Sequence, residues 1–407
     1  NDNYVCIKVD REQRPDIDTF CMSFMQEAYG QGGWPLNVVL TPTLKPFFAA
    51  TYIASSPKYN MPGFLEIAER VLNYYTENKN DIDDYHPQNF ETQIVESPNF
   101  KIYEQQFDKE NWGFLSEQKF PPHCSLMYLL STPYARKSEE VQTFLKNTLD
   151  KMQNSGLHDH VGGGFFRYCV DPKWEVPHFE KMLYDQAMML INYSLGYFLF
   201  NDSTYKNTIE RILFSLKDTF ETNHLYMSGH DADTNHEEGK TYLWNENDFK
   251  NIKNSSFSDF ESTNFEGKFH ITSAPNTDSL DELYKIRKSR DQPEVDTKIV
   301  TSWNALLGVA FCFVEKFANI KTKADKHYWE LIKQKNFHTT NNNEKQHNYF
   351  LEDAASILLL QTYLFEKGIV SITELTKQYN ELLQFNIDNR WVENPNSDFN
   401  IVTAPQF

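Results

Sequence analysis

The chain has 407 residues, 40% of them apolar and 15% aromatic, enough to bury the cores of two domains. A formal charge of −18 speaks against nucleic acid or an anionic membrane surface as a partner, because both attract basic patches. No apolar run approaches the length that crosses a bilayer. The five cysteines (Cys6, Cys21, Cys124, Cys169 and Cys312) lack any C-x-x-C spacing, which suits reduced thiols in a cytoplasmic protein.

In chain order, the first eighty residues read as α/β. Tyr4 to Asp10 has the apolar pattern of a strand, and a helix is expected from about Thr19 to Tyr29. The stretch "GQGGWPLNVVLTP" leads into a strand at Leu36–Leu40, "LKPFFAATYI" suits its hairpin partner, and "GFLEIAERVLNYYTEN" is an amphipathic helix. Pro35, after Trp34, is a cis candidate. Neither Cys6, in mid-strand, nor Cys21, within a helix, has the helix-N-terminal setting that makes a reactive thiolate. Residues 81–100 are polar and irregular and read as a linker.

Helical periodicity dominates from residue 101 to residue 407. Helices are expected at Ser125–Leu130, Ser138–Ser155, Phe179–Phe200, Lys206–Thr219, Ser302–Ile320, Ala324–Lys335, Asp353–Lys367 and Ile372–Phe385. Long loops rich in Gly, Asp, His and aromatics separate several of them, which fits an α/α toroid better than a bundle with short links.

Those loops carry the chemistry. "GLHDHVGGGFFRYCVDPKWEVPHFEKMLYDQA" (residues 156–187) holds three consecutive glycines, which permit tight turns or close ligand approach. His158, His160 and His178 could bind a metal, but H-x-H is a weak signal without a fourth ligand, and hydrogen-bonded loop histidines are the plainer reading. Neither a metal nor a cofactor is therefore expected. On a helix starting at Pro177, His178, Lys181 and Asp185 would share one face and Glu180 and Tyr184 another. A His at that rim would be held neutral by the helix dipole. The stretch "SGHDADTNHEEGKTYLW" crowds Asp231, Asp233, Glu237 and Glu238 with His230 and His236. Paired carboxylates can divide acid and base work when their environments differ. Two more helices open on polar groups, Trp303 with Asn304 and Glu352 with Asp353, the last also readable as a cap.

The segments "IKVDREQRPDID", "GGWPLNVVLTP", "KFPPHCSLMYLL", "DHVGGGFFRYCVD", "VPHFEKMLYDQA", "DADTNHEEGKTYLW", "NFEG" and "KIVTSWN" together resemble the thioredoxin-domain family that carries a C-terminal six-hairpin-glycosidase-like domain, the spermatogenesis-associated thioredoxin-like proteins. The resemblance implies a thioredoxin-like domain over residues 1–80. It also implies an (α/α)6 toroid over residues 101–407 similar to N-acylglucosamine 2-epimerases and related glycosidases. Family members carry a C-H-W-C-H-type motif ahead of the "IKVD" strand, where this chain starts, and continue beyond Phe407.

The resulting expectation is a carbohydrate-acting epimerase or isomerase. His178 would act as base, Glu180 or Asp185 would orient it, and Asp231 or Asp233 would be the opposing acid. Substrate would be bound by Arg167, Trp174, Tyr184, Glu237, Trp303, Asn304 and Asp353, the tryptophans stacking on the sugar ring. A glycoside hydrolase using Asp233 and Glu237, a thioredoxin-like redox or chaperone module with a non-catalytic helical domain, and a binding scaffold remain the alternatives. The expected partner is a small carbohydrate, with no nucleic acid and no membrane.

Overall fold

The computed structural model describes residues 3–58, 61–83, 104–133, 136–252, 260–275, 277–341, 344–346 and 349–396. The chain divides into two compact units, Asn1–Glu96 with Leu383–Phe407, and Ser97–Leu382. Most of the expected linker, residues 84–100, lies outside the described residues.

In the first unit, helix α1 (Pro15–Tyr29) begins earlier than expected, with Pro15 in the first turn and Asp16 and Asp18 at its positive end. Strands β1 (Asn37–Leu40) and β2 (Pro46–Ala50) form an antiparallel hairpin. Helix α2 (Phe64–Asp83) packs back on it, with Tyr75 stacked on Phe47. The Trp34–Pro35 bond is cis. Tyr4–Asp10 is not a strand: no ladder includes it, and Val5 and Ile7 are 90% and 78% exposed. Alternating apolar residues form a strand only where a neighbour completes the hydrogen bonds.

The second unit is mostly helical, with nine α-helices among its described residues. Its helices are α3 (His123–Ser131), α4 (Glu139–Gln153), α5 (Leu183–Phe200), α6 (Ser203–Ser215), α7 (Thr277–Lys288), α8 (Thr301–Phe313), α9 (Ala324–Ile332), α10 (Leu351–Glu366) and α11 (Ile372–Leu383). Helix α5 packs on α3, α6 and α8, and α8 packs in turn on α9 and α10. The inner members α5 and α8 are buried on nearly every side. The outer members α4 and α6 bury one stripe, Val141–Phe144–Leu145–Leu149 and Tyr205–Ile209–Ile212. All-round apolarity inside and amphipathicity outside follow from that layering. Local caps fix the outer helices: Ser138 accepts the Val141 N–H and Asp202 the Thr204 N–H.

The inner helices run parallel. At one end His123 of α3 meets Asp185 of α5, Tyr184 of α5 meets Trp303 of α8, and Ser302 of α8 meets Asp353 of α10. At the other end Phe198 meets Phe317, and Phe313 meets Tyr363. This is the (α/α) toroid-like arrangement, and it gathers the N-termini of α3, α5, α8 and α10 at one place. No helix among the described residues is long and apolar enough to cross a membrane.

Candidate functional site

The expected helix from Pro177 does not form. Pro177–His178 pairs with Tyr168–Cys169, and Lys181–Met182 joins a three-stranded sheet with Gly229–His230 and Val295–Asp296. Helix α5 starts only at Leu183. In extended chain successive side chains point to opposite faces, so the proposed stripe of His178, Lys181 and Asp185 dissolves into three separate environments.

Lys181 goes inward. It is 3% exposed, and its Nζ donates to Asp159 Oδ2 at 2.6 Å and to the Gly163 carbonyl at 2.9 Å. Arg287 donates to the other oxygen of Asp159, also at 2.6 Å. Burial raises the carboxyl of Asp159, but the two cations override it and hold the group well below the usual range. Lys181 is drawn down to about 8, by burial first and by the competing charge of Arg287, although Asp159 pulls the other way. The three glycines serve this packing rather than a ligand. A Cβ on Gly162 would lie 1.5 Å from Arg287 Nη2, and one on Gly163 (φ +76°) would lie 2.3 Å from the Arg211 carbonyl oxygen.

His158 and His160 are loop histidines of the plain kind. Each ring is buried and hydrogen-bonded to a backbone carbonyl, of Gln153 and Ser155 respectively. His178 stands apart from them, so the imagined three-histidine ligand set is not assembled. Among the described residues the one cluster with metal-ligand geometry is His338, Glu352 and Asp353.

Several expected substrate contacts are core groups instead. Trp174 is 0% exposed, and its indole N–H is donated to the carbonyls of Asn111 and Trp112, so it cannot stack on a sugar. Asn304 is equally buried. It accepts the Tyr226 N–H and donates to the Tyr226 and Val300 carbonyls, tying α8 to the 225–226 strand. Asp353 is not the cap residue but the third residue of α10. It accepts the N–H groups of Ser302 and Phe350 together with a ring N–H of His338. All three are polar or aromatic groups that a helix-rich core satisfies internally.

The acidic loop is a ribbon in which Asp233–Thr234 pairs with Glu237–Glu238. Asp233 lies opposite Glu238 and Thr234 opposite Glu237, so Asp233 and Glu238 share a face while Glu237 occupies the other. Glu237 pairs outward with Lys268 and Lys240. Asp233 and Glu237 therefore cannot flank one glycosidic bond. Asp231 and Asp233 are exposed, the Asp231 carboxylate accepting the Asp233 N–H. His230 is buried against the Thr219 carbonyl.

What does come together lies at the N-terminal ends of the inner helices. His178 Nδ1 is 2.7 Å from Glu238 Oε1, and its ring lies 5.1 Å from Tyr168, itself stacked on Phe120. Arg167 donates to Glu180 at 2.6 Å. Tyr184 and Trp303 meet edge to face at 4.9 Å. Asp185 Oδ1 is 3.0 Å from His123 Nε2, and burial raises the carboxyl of Asp185 in spite of that contact. Glu352 faces the Ser302 hydroxyl at 3.4 Å and His338 Nε2 at 3.6 Å.

Burial would pull His178 down, but the hydrogen bond and charge of Glu238 outweigh it, so the net shift is upward. The helix-dipole expectation of a neutral His is thereby reversed. Glu352 is raised to about 7, by burial first and then by the charge of Asp353. Both side chains nevertheless keep about a third of their surface accessible, 30% and 34%. Each is a side chain that keeps part of its surface accessible while its surroundings act on its charge. Of the residues that make up the site, sequence reasoning passed over His123, His338 and the pairing role of Glu238. His123 and His338 carry no periodic or spacing signal, while Glu238 was visible only as one acid in a crowd.

Residues 1–94 match the family model described as "Thioredox_DsbH: Protein of unknown function, DUF255". The N-terminal segment is a thioredoxin-like DUF255 domain. Through most of its length the chain is similar to spermatogenesis-associated protein 20 of Homo sapiens, at 28% identity over 75% of this chain and 49% of the relative. The Rattus norvegicus protein of the same name matches at 28% over 76% and 49%. The chain thus spans about half the length of these curated relatives. An uncharacterized protein of Caenorhabditis elegans is 39% identical over 48% of this chain and 29% of its own. Solved structures with a similar chain path include cellobiose 2-epimerase from Bacillus thermoamylovorans (TM-score 0.36, 11% identity, 80% of this chain and 92% of that one). A family 76 glycoside hydrolase from Bacteroides thetaiotaomicron has TM-score 0.39 and 12% identity, over 66% of this chain and 48% of that one. At such TM-scores the likeness carries no functional weight.

Proposed function

We propose that the recess at the N-terminal ends of α3, α5, α8 and α10 binds a sugar-sized polyol and moves a proton at a carbon beside its carbonyl, the chemistry of an epimerase or isomerase. The contrast among the histidines carries this reading. His158, His160, His230, His270 and His327 are buried and pushed down, by burial in each case. His178 is partly accessible and pushed up by its carboxylate partner. Five have the character of core groups, and His178 has that of a proton-transfer group, partly accessible and held against a carboxylate.

The surroundings suit a polyol. Tyr168, Tyr184 and Trp303 offer ring faces and edges to the apolar C–H side of a sugar, while Arg167, Glu180, Glu238 and Ser302 offer donors and acceptors for hydroxyls. Asp185 and His123 close one end. A redox reading finds less support. Cys21 is pushed up to about 11, by burial and then by Asp18, which is the opposite of a reactive thiolate.

The test is a panel of reducing mono- and disaccharides incubated in D₂O and followed by proton NMR, with His178→Ala alongside. Deuterium entering at the carbon beside the carbonyl, and lost in the variant, is the expected result. No exchange across the panel would remove the reading.

A further inference from the structure

We propose that Asp185 takes a hydroxyl of the sugar on its second carboxylate oxygen, with His123 as the residue that positions it, so that the first turns of α3 and α5 form a hydroxyl-binding subsite. The inference rests on the reading that the recess takes a polyol and does not depend on the proton transfer assigned to His178.

The fold treats its other buried carboxylates differently. Among the described residues five carboxylates are nearly closed to solvent: Asp16, Asp108, Asp159, Asp185 and Asp353. Four of them have both oxygens hydrogen-bonded. Asp16 accepts Arg14 on each oxygen, and Asp108 accepts Lys119 on one and the Glu110 and Asn111 N–H groups on the other. Asp159 divides Arg287 and Lys181 between its oxygens, and Asp353 accepts the Ser302 N–H on one and Phe350 with His338 on the other.

Asp185 departs from that pattern. Its Oδ1 lies 3.0 Å from His123 Nε2, while Oδ2 has no partner among the described residues, in a side chain that is 4% exposed. Leaving a buried acceptor unsatisfied costs stability, and four saturated carboxylates show that this fold avoids the cost elsewhere. Such exceptions concentrate where function demands them. On the other side of the pair, His123 Nδ1 is likewise buried without a partner, and the His123 carbonyl accepts the Asn192 amide of α5 at 3.2 Å, which ties the histidine to the helix that carries Asp185.

The location agrees with a ligand. Tyr184, the neighbour of Asp185, meets Trp303 at 4.9 Å. Burial is the largest influence on both Asp185 and His178. After each one's hydrogen-bonded partner, the same Arg167–Glu180 pair, joined at 2.6 Å, acts on both. His123 keeps 14% of its side chain accessible and Asp185 5%, which admits a small group and not a large one.

The chemistry of the pair selects that group. With the Nε2 proton donated to Oδ1, an ionised Asp185 presents Oδ2 purely as an acceptor, so its ligand must bring a proton to share. A sugar hydroxyl does so. An ether or a carboxylate does not, and a carboxylate would add a second negative charge.

The experiment measures calorimetric binding of D-glucose and of each of its monodeoxy forms to wild type and to Asp185→Asn. One deoxy sugar should bind wild type at least about 10-fold more weakly than glucose, and Asp185→Asn should no longer separate the two, with its melting temperature not lowered. His123→Gln, which still donates to Oδ1, should keep the discrimination that His123→Ala loses. In wild type labelled with ¹³C at the aspartate carboxyl, the resonance missing from Asp185→Asn should move with glucose and stay put with that deoxy sugar. Equal binding of all the deoxy sugars, discrimination that survives in Asp185→Asn, or an unmoved Asp185 resonance overturns the proposal. Deuterium exchange separates it from the proton-transfer reading. Glucose that moves the Asp185 resonance without exchanging removes the role of His178 and supports the subsite, whereas exchange with discrimination intact in Asp185→Asn removes the subsite alone. No binding of any of these sugars removes both.

Discussion

His178 Nδ1 and Glu238 Oε1 lie 2.7 Å apart, joining a strand that precedes α5 to a ribbon sixty residues further along the chain. The contact gives His178 a carboxylate partner on the same face of the ribbon as Asp233, and it sets the sign of the histidine's pKa shift.

The first prediction concerns that pair. Glu238→Gln keeps the shape but removes the charge, so the His178 midpoint should fall, burial then being the main remaining influence. Histidine ring NMR across pH 5 to 8 would follow it, and an unchanged midpoint would refute the assignment. Because the folded value is raised, the pair stabilises the fold fully below the unfolded pKa of about 6.5 and loses that contribution as pH rises through the folded value.

A second prediction addresses the buried centre. Asp159→Asn leaves Lys181 and Arg287 without their shared carboxylate and should destabilise the protein by about 3–5 kcal/mol, read in urea or thermal unfolding. The depressed carboxyl of Asp159 contributes stability that is present above its unfolded pKa of about 3.9 and is lost as pH falls toward the folded value. Asp159→Asn should therefore show a flatter acid limb than wild type.

The glycine run supplies a third. Gly163→Ala should cost more than about 1–3 kcal/mol, because it combines a left-handed backbone with a Cβ driven against the Arg211 carbonyl oxygen. Gly30 also has positive φ but open space around it. Gly30→Ala should therefore cost only the backbone strain, about 1–2 kcal/mol, and the difference between the two variants isolates the steric part.

A fourth separates core from site among the tryptophans. Trp174→Phe should lower the melting temperature, since the indole is buried with its N–H bonded to Asn111 and Trp112. Trp303→Phe should instead weaken saccharide binding while leaving the melting temperature within a few degrees. Equal stability losses in both would place Trp303 in the core.

The sequence by itself determined where the inner and outer helices run. Their stripes of Leu, Ile, Phe and Tyr repeat at helical spacing, and Ser138 and Asp202 mark starts by local capping that needs no distant partner. It also marked the loops that matter, because Gly, His and Asp crowd there against the apolar background. Only the tertiary structure decided what each of those residues does. Tyr4–Asp10 has a strand's alternation but no ladder, and "VPHFEK" has a helix's periodicity but is claimed by strand partners from residues 168–169 and 229–230. Lys181 and His178, three residues apart, were read as one face. One is sealed against Asp159 and the other is opened toward Glu238, because extended backbone sends them to different neighbours. A carboxyl near 7 at Glu352 depends on desolvation and on Asp353 beside His338, contacts made only when α8 and α10 pack together. Helix formation is a local property of the chain, whereas the charge state of a side chain belongs to whatever the fold places around it.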